Sequence, residues 1–153
     1  MPSTTSDTAG LILTEVSVGF YDLTRLQGNW GRITKFVSRS DITHVGLVLN
    51  FQKRLTITLH PGGGAKLHRE DVFEDWRIDE LPVGERLVDL DQLVDYSENY
   101  CDTSVLDAIF YNFAGRYIGL TRPRVCTTLV CSLLGLPEFW RPADLYRYMK
   151  GNQ

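Results

Sequence analysis

Apolar and polar residues alternate along 11–19, where Leu11, Leu13, Val16 and Val18 are spaced by polar breaks. That period of two predicts a β-strand. Along 29–38 the apolar positions Ile33, Phe36 and Val37 step by three and four, with Trp30 near the start, which predicts a short amphipathic helix. Residues 43–50 are almost wholly apolar and β-branched after His44. Residues 54–59 set Leu55, Ile57 and Leu59 against Thr56 and Thr58. With 50–53 as the turn, these two runs predict an antiparallel hairpin. His60 ends the second strand, and Pro61-Gly62-Gly63-Gly64 predicts an irregular loop after it.

Short strands are expected near 66–68 and 76–79. Helices are expected over 91–100 and 104–114, the second with Val105, Leu106, Ile109, Phe110 and Phe113 on one face. A third helix, 126–134, has Gly135 and Pro137 to close it, and a fourth, 142–149, has Pro142 in its first turn. The pattern predicts an α+β fold, a small antiparallel sheet packed against helices. It divides into a lead-in over 1–10 and one domain over 11–150.

Composition narrows the function classes. The chain has 153 residues, 43% hydrophobic and 23% charged, with a formal net charge of -3. That suits a single globular core and argues against a nucleic-acid binder driven by bulk charge. No run is long and apolar enough for a membrane span or a signal-peptide core. Three cysteines, Cys101, Cys126 and Cys131, are an odd number and argue against a disulfide framework. The expected location is cytoplasmic, or within a larger particle such as a virion.

The candidate chemistry sits in two segments. Cys126 opens the third helix, where free backbone amides and the macrodipole favour a thiolate and could hold an oxyanion. It could equally be a small buried core residue. Cys131, five residues on, is better placed as core. His44 lies in an apolar strand. It is either a core histidine bonded to a carbonyl or the base that takes a proton from Cys126. His60 could hold the second nitrogen of His44, or simply stand at a strand end. His68, beside Arg69, Glu70 and Asp71, is expected to be exposed. No Cys-x-x-Cys or His-x-x-x-His spacing is present, and Gly62-Gly63-Gly64 lacks the lysine and helix of a phosphate loop. No cofactor or metal is therefore expected. A metal-dependent hydrolase ranks third among the readings.

Thr43-His44-Val45-Gly46-Leu47-Val48 together with Cys126-Thr127-Thr128-Leu129-Val130 and Leu134-Gly135 resembles the circularly permuted papain-like hydrolases. These are the permuted branch of the NlpC-type amidase superfamily, which includes relatives of lecithin retinol acyltransferase. Pro142-Ala143-Asp144-Leu145-Tyr146 is similar to the family's C-terminal helix, and His60 falls at its third polar position. The chain departs from the family at Gly10-Leu11, where Gly-Asp is frequent. It departs also at Thr128 and His60, where acidic residues are frequent. These departures bear on substrate class more than on fold. The resemblance implies a permuted papain-like fold with Cys126 as nucleophile, His44 as base and acid, and His60 as orienter. It implies a hydrolase acting on an amide or ester of a peptide, a cell-wall stem peptide or a lipid. The alternative is a non-catalytic structural or binding module on the same fold, for example a phage virion-associated component. Two aromatic segments, Trp76 and Phe139-Trp140, could line a groove or an interface, or be ordinary buried rings.

Overall fold

The computed structural model describes residues 10–29, 32, 35–36, 39–50, 54–60, 64–68, 73–89, 91 and 125–152. Its elements are β1 (Gly10–Tyr21), α1 (Thr24–Gln27), β2 (His44–Asn50), β3 (Arg54–His60), β4 (Gly64–His68) and a 3-10 turn (Glu74–Trp76). β5 (Arg77–Asp89), α2 (Cys126–Leu134) and α3 (Pro142–Gly151) complete it. The helices expected over 91–100 and 104–114 lie outside the described residues, apart from Asp91. Of the helix expected over 29–38, Asn29, Arg32, Lys35 and Phe36 are described, and all four are helical.

The strands form one antiparallel sheet in the order β4-β3-β2-β1-β5. The expected α+β architecture is therefore present. The strand expected over 76–79 is the start of a 13-residue strand, and the one near 66–68 begins at Gly64, so the last glycine expected in the loop belongs to the strand. β5 runs long because it shadows β1 from Arg77 opposite Tyr21 to Asp89 opposite Gly10, and register shifts along the pair absorb the mismatch.

Strand alternation sorts the side chains into two faces. Phe20 faces Val45, Val18 faces Leu47, Val16 faces Leu49, and Leu47 faces Ile57. These residues form the main core with Leu81 and Val88 of β5, Leu129, Val130, Cys131, Leu133 and Leu134 of α2, and Leu145 and Met149 of α3. The other face carries Ser17, Gly19 and Tyr21 of β1 opposite Val48, Gly46 and His44, and Thr56 opposite Val48. It too is buried: Ser17, Tyr21, His44, Val48, Thr56 and Thr58 have almost no exposure. Burial on both faces explains why β2 reads as a continuous apolar run.

The turn at 73–76 lies against this second face. Tyr21, Leu23 and Phe73 form a separate apolar cluster, with Trp76 packed on it. The Asp22 amide donates to Trp76 O at 3.0 Å. Arg54, Glu74, Arg77 and Glu80 close a ring of ion pairs beside it, with Arg54 and Arg77 each bridging both carboxylates. α3 is tied to β5 from the first face, where Tyr146 Oη donates to Asp79 Oδ2 at 2.8 Å and Lys150 Nζ stands 3.5 Å from the same oxygen. Among the described residues no helix is long and apolar enough to cross a membrane.

Candidate functional site

α2 begins at Cys126. Thr128, at the third helical position, sets that boundary: its hydroxyl accepts from the Val125 amide at 3.0 Å and donates to Val125 O at 3.0 Å. A glutamate at this position closes a helix start by the same reach back to the backbone. Thr128 thus does in this chain what an acidic residue would do, without placing a negative charge beside the cysteine. At the other end Gly135 adopts a left-handed conformation (φ 64°), and the Leu136 amide closes onto Cys131 O at 2.9 Å.

The partly buried Cys126 packs against the main core. Burial pushes its thiol up from the ordinary value. The amides of Val45, Thr127 and Cys126 itself, together with the Thr127 hydroxyl, act in the opposite direction. The sulfur lies 3.9 Å from Thr127 Oγ1. Amides from a helix start and from a neighbouring strand therefore converge on one sulfur, but desolvation prevails and the resting group is a neutral thiol. Burial thus opposes the thiolate that a helix start favours. Cys131, 2% exposed, is a core residue, and burial pushes its thiol up to about 11.

His44 opens β2 and is 3% exposed. Thr43, before it, accepts the Leu23 amide on its hydroxyl at 2.9 Å and donates its own amide to Tyr21 O at 2.9 Å. These two bonds fix where the strand starts. The imidazole lies among rings, 5.2 Å from the Phe73 centroid and 6.2 Å from that of Tyr21. Its Nε2 is 2.6 Å from Thr58 Oγ1, and that hydroxyl donates to Val45 O at 3.1 Å. A hydroxyl has one proton. Nε2 and the Val45 carbonyl thus share one hydroxyl, and the direction of the Nε2 contact depends on the tautomer of the ring.

The β2–β3 register runs from Asn50–Arg54 to Leu47–Ile57. Beyond it the outward polar groups of Val45 are used differently: its carbonyl accepts from Thr58 and its amide acts on Cys126. The two segments singled out from sequence thus meet at one residue, Val45. His44 and Cys126 lie on opposite sides of that backbone, the imidazole with Tyr21 and Phe73 and the cysteine with the main core. The contact joining them is the Val45 backbone rather than a sulfur–imidazole hydrogen bond.

His60 ends β3 and pairs with Gly64. Its side chain lies outside the described residues. His68, expected to be exposed, is half-buried on β4 opposite Thr56. Trp76 is packed on the Tyr21–Phe73 cluster, and Phe139 lies on the main core, 5.1 Å from the Tyr148 centroid. Cys101 lies outside the described residues. Among the described residues no three His, Cys, Asp or Glu side chains gather into a metal-binding group. The side chain that sequence reading passed over is Thr58. Its signal was its place in the polar row of β3, on the same face as His44.

Comparison of this chain with known protein families, with curated proteins and with solved structures finds no match.

Proposed function

We propose that the chain is a thiol-dependent hydrolase of amide or ester bonds on a permuted papain-like fold, with Cys126 as nucleophile and His44 as base. The observation that carries this reading is the convergence on one sulfur of amides from the start of α2 and from the residue after His44. Such donors stabilise charge that develops during attack on a carbonyl. In this mechanism the imidazole and the thiol, on opposite sides of β2 in the resting chain, are brought together as substrate binds, and the Cys126 sulfur bonds to the substrate carbonyl carbon as its proton passes to His44. The tetrahedral oxyanion is held by the amides, and the carbon–nitrogen or carbon–oxygen bond breaks as His44 protonates the leaving group. Water then cleaves the thioester and Cys126 regains its proton. His60 stands where the resemblance puts a third polar residue. Peptide, cell-wall and lipid amides or esters are the substrate classes, in the cytoplasm or within a larger particle.

A second reading, a non-catalytic module on the same fold, is favoured by one specific observation: the neutral thiol and the buried imidazole lie on opposite sides of β2. A p-nitrophenyl ester separates the two. The hydrolase reading expects an acyl group on Cys126, seen by peptide mass spectrometry, and acylation slowed by about 100-fold or more in His44→Ala. Acylation absent from Cys126, or indifferent to His44, gives the second reading.

A further inference from the structure

We infer that Thr58 is the positioning residue for His44, the part the resemblance assigns to His60; this rests on the hydrolase reading for its catalytic meaning. Thr58 has no exposure and comes from the middle of β3. Its hydroxyl makes two contacts, one to His44 Nε2 at 2.6 Å and one to Val45 O, to which it donates, at 3.1 Å. The second contact decides the first. Because the hydroxyl proton is directed at a carbonyl, the imidazole is held as the Nε2–H tautomer and Nδ1 carries the lone pair.

The same hydroxyl therefore does two things. It fixes which ring nitrogen can accept a proton, and it bonds the carbonyl of the residue whose amide acts on the Cys126 sulfur. The register explains why Thr58 can do so. Gly46 lies opposite the Thr56–Thr58 segment with no side chain, and a Cβ there would come 3.0 Å from Thr56 Cγ2 and 3.5 Å from Thr58 Cβ. The glycine between His44 and Val48 thus leaves the space into which the two threonines pack. The space lets Thr58 reach diagonally back to His44.

Two readouts test this on the intact chain. The first is the tautomer of His44, read from the nitrogen shifts of its ring by NMR. The second is the pH dependence of Cys126 acylation by a p-nitrophenyl ester. Wild type is expected to show a single Nε2–H tautomer. Thr58→Val, which keeps the shape and removes the hydroxyl, is expected to lose that tautomer preference, to shift the pH profile and to slow acylation by about tenfold or more. Thr58→Ser is expected to restore both. An Nδ1–H tautomer in wild type, or an unaltered tautomer and pH profile in Thr58→Val, overturns the inference. Failure of the hydrolase reading is distinct: His44→Ala would leave Cys126 acylation unchanged while Thr58→Val still moved the tautomer. That result would overturn a catalytic positioning role and leave only a structural lock.

Discussion

Gly19→Ala tests the packing around His44. Gly19 pairs with Gly46 across β1 and β2, and the Tyr21 phenol lies over it. A Cβ at position 19 would come 2.2 Å from Tyr21 Oη, 2.6 Å from Cζ and 3.0 Å from Cε2. Ordinary contact needs about 3.5 Å, so the ring must move by about 1 Å. It has little room, because Tyr21 is fully buried and packs edge-on against Phe73, with ring centroids 5.7 Å apart. Overpacking of this kind costs about 1–3 kcal/mol. Alanine also narrows the unfolded ensemble, which returns about 0.4–1 kcal/mol. The net expectation is a loss of about 1–2 kcal/mol, or roughly 3–8 °C in Tm for a domain of this size. Urea unfolding measures it, with the slope m unchanged. The clash is specific, so removing its nearest atom should relieve it. In a Tyr21→Phe background the cost of Gly19→Ala should fall by about 0.5 kcal/mol or more. A Gly19→Ala protein as stable as wild type, or a cost that is the same whether or not the Tyr21 hydroxyl is present, refutes the reasoning.

The main elements were legible because their physical causes are local. The α2 boundary follows from Pro123 before it, Cys126 through Leu134 as an unbroken helical run, and Gly135 after it. The hairpin follows from a β-branched run beside an alternating one. The extent of β5 was not legible, because its pairing with β1 carries the strand through Pro82 and through Gly84, which takes a left-handed conformation (φ 68°) at a register shift. At the site, the positions of Cys126 and His44 could be read from sequence, but the protonation state of the thiol could not. That state is decided by burial under residues distant in the chain. Thr58 escaped notice for a related reason. Alternating threonines suggest a solvated face, whereas here both Thr56 and Thr58 are fully buried.

Three further outcomes follow from the charges and caps. Cys131 ionises near pH 11 in the folded protein against 9.0 ordinarily, so the unfolded thiol loses its proton first. Stability should be intact below pH 9 and fall by about 3 kcal/mol between pH 9 and 11, in urea melts under reductant; an equal slope in Cys131→Ala refutes this. Asp79 is held below 3.8 chiefly by the Tyr146 hydroxyl, so its contribution is present above that value and lost as pH falls through the lower folded value. Tyr146→Phe should raise the Asp79 pKa toward 3.8 in a carboxyl NMR titration, and no change removes the argument. Thr128→Ala should cost about 1 kcal/mol and fray the first turn of α2, seen as faster amide exchange near Cys126. Unaltered exchange there would mean that the helix start is held by something else.

The opposition between burial and amides at Cys126 constrains any chemistry the site performs. Desolvation penalises a thiolate before attack, so a standing thiolate–imidazolium pair is not the resting state. The amides stabilise negative charge wherever it appears near the sulfur, on the thiolate or on the oxygen of an intermediate. They contribute most when charge forms during the reaction, because burial then strengthens each dipole instead of opposing ionisation in advance. Proton removal and carbon–sulfur bond formation must therefore be coupled, and the base must be held ready in one tautomer. Val45 bears on both conditions at once. Its amide faces the sulfur, and its carbonyl binds the hydroxyl that selects the proton-bearing nitrogen of His44. On the hydrolase reading, disturbing Val45 is expected to affect Cys126 and His44 together, whereas a core cysteine and a core histidine would respond independently.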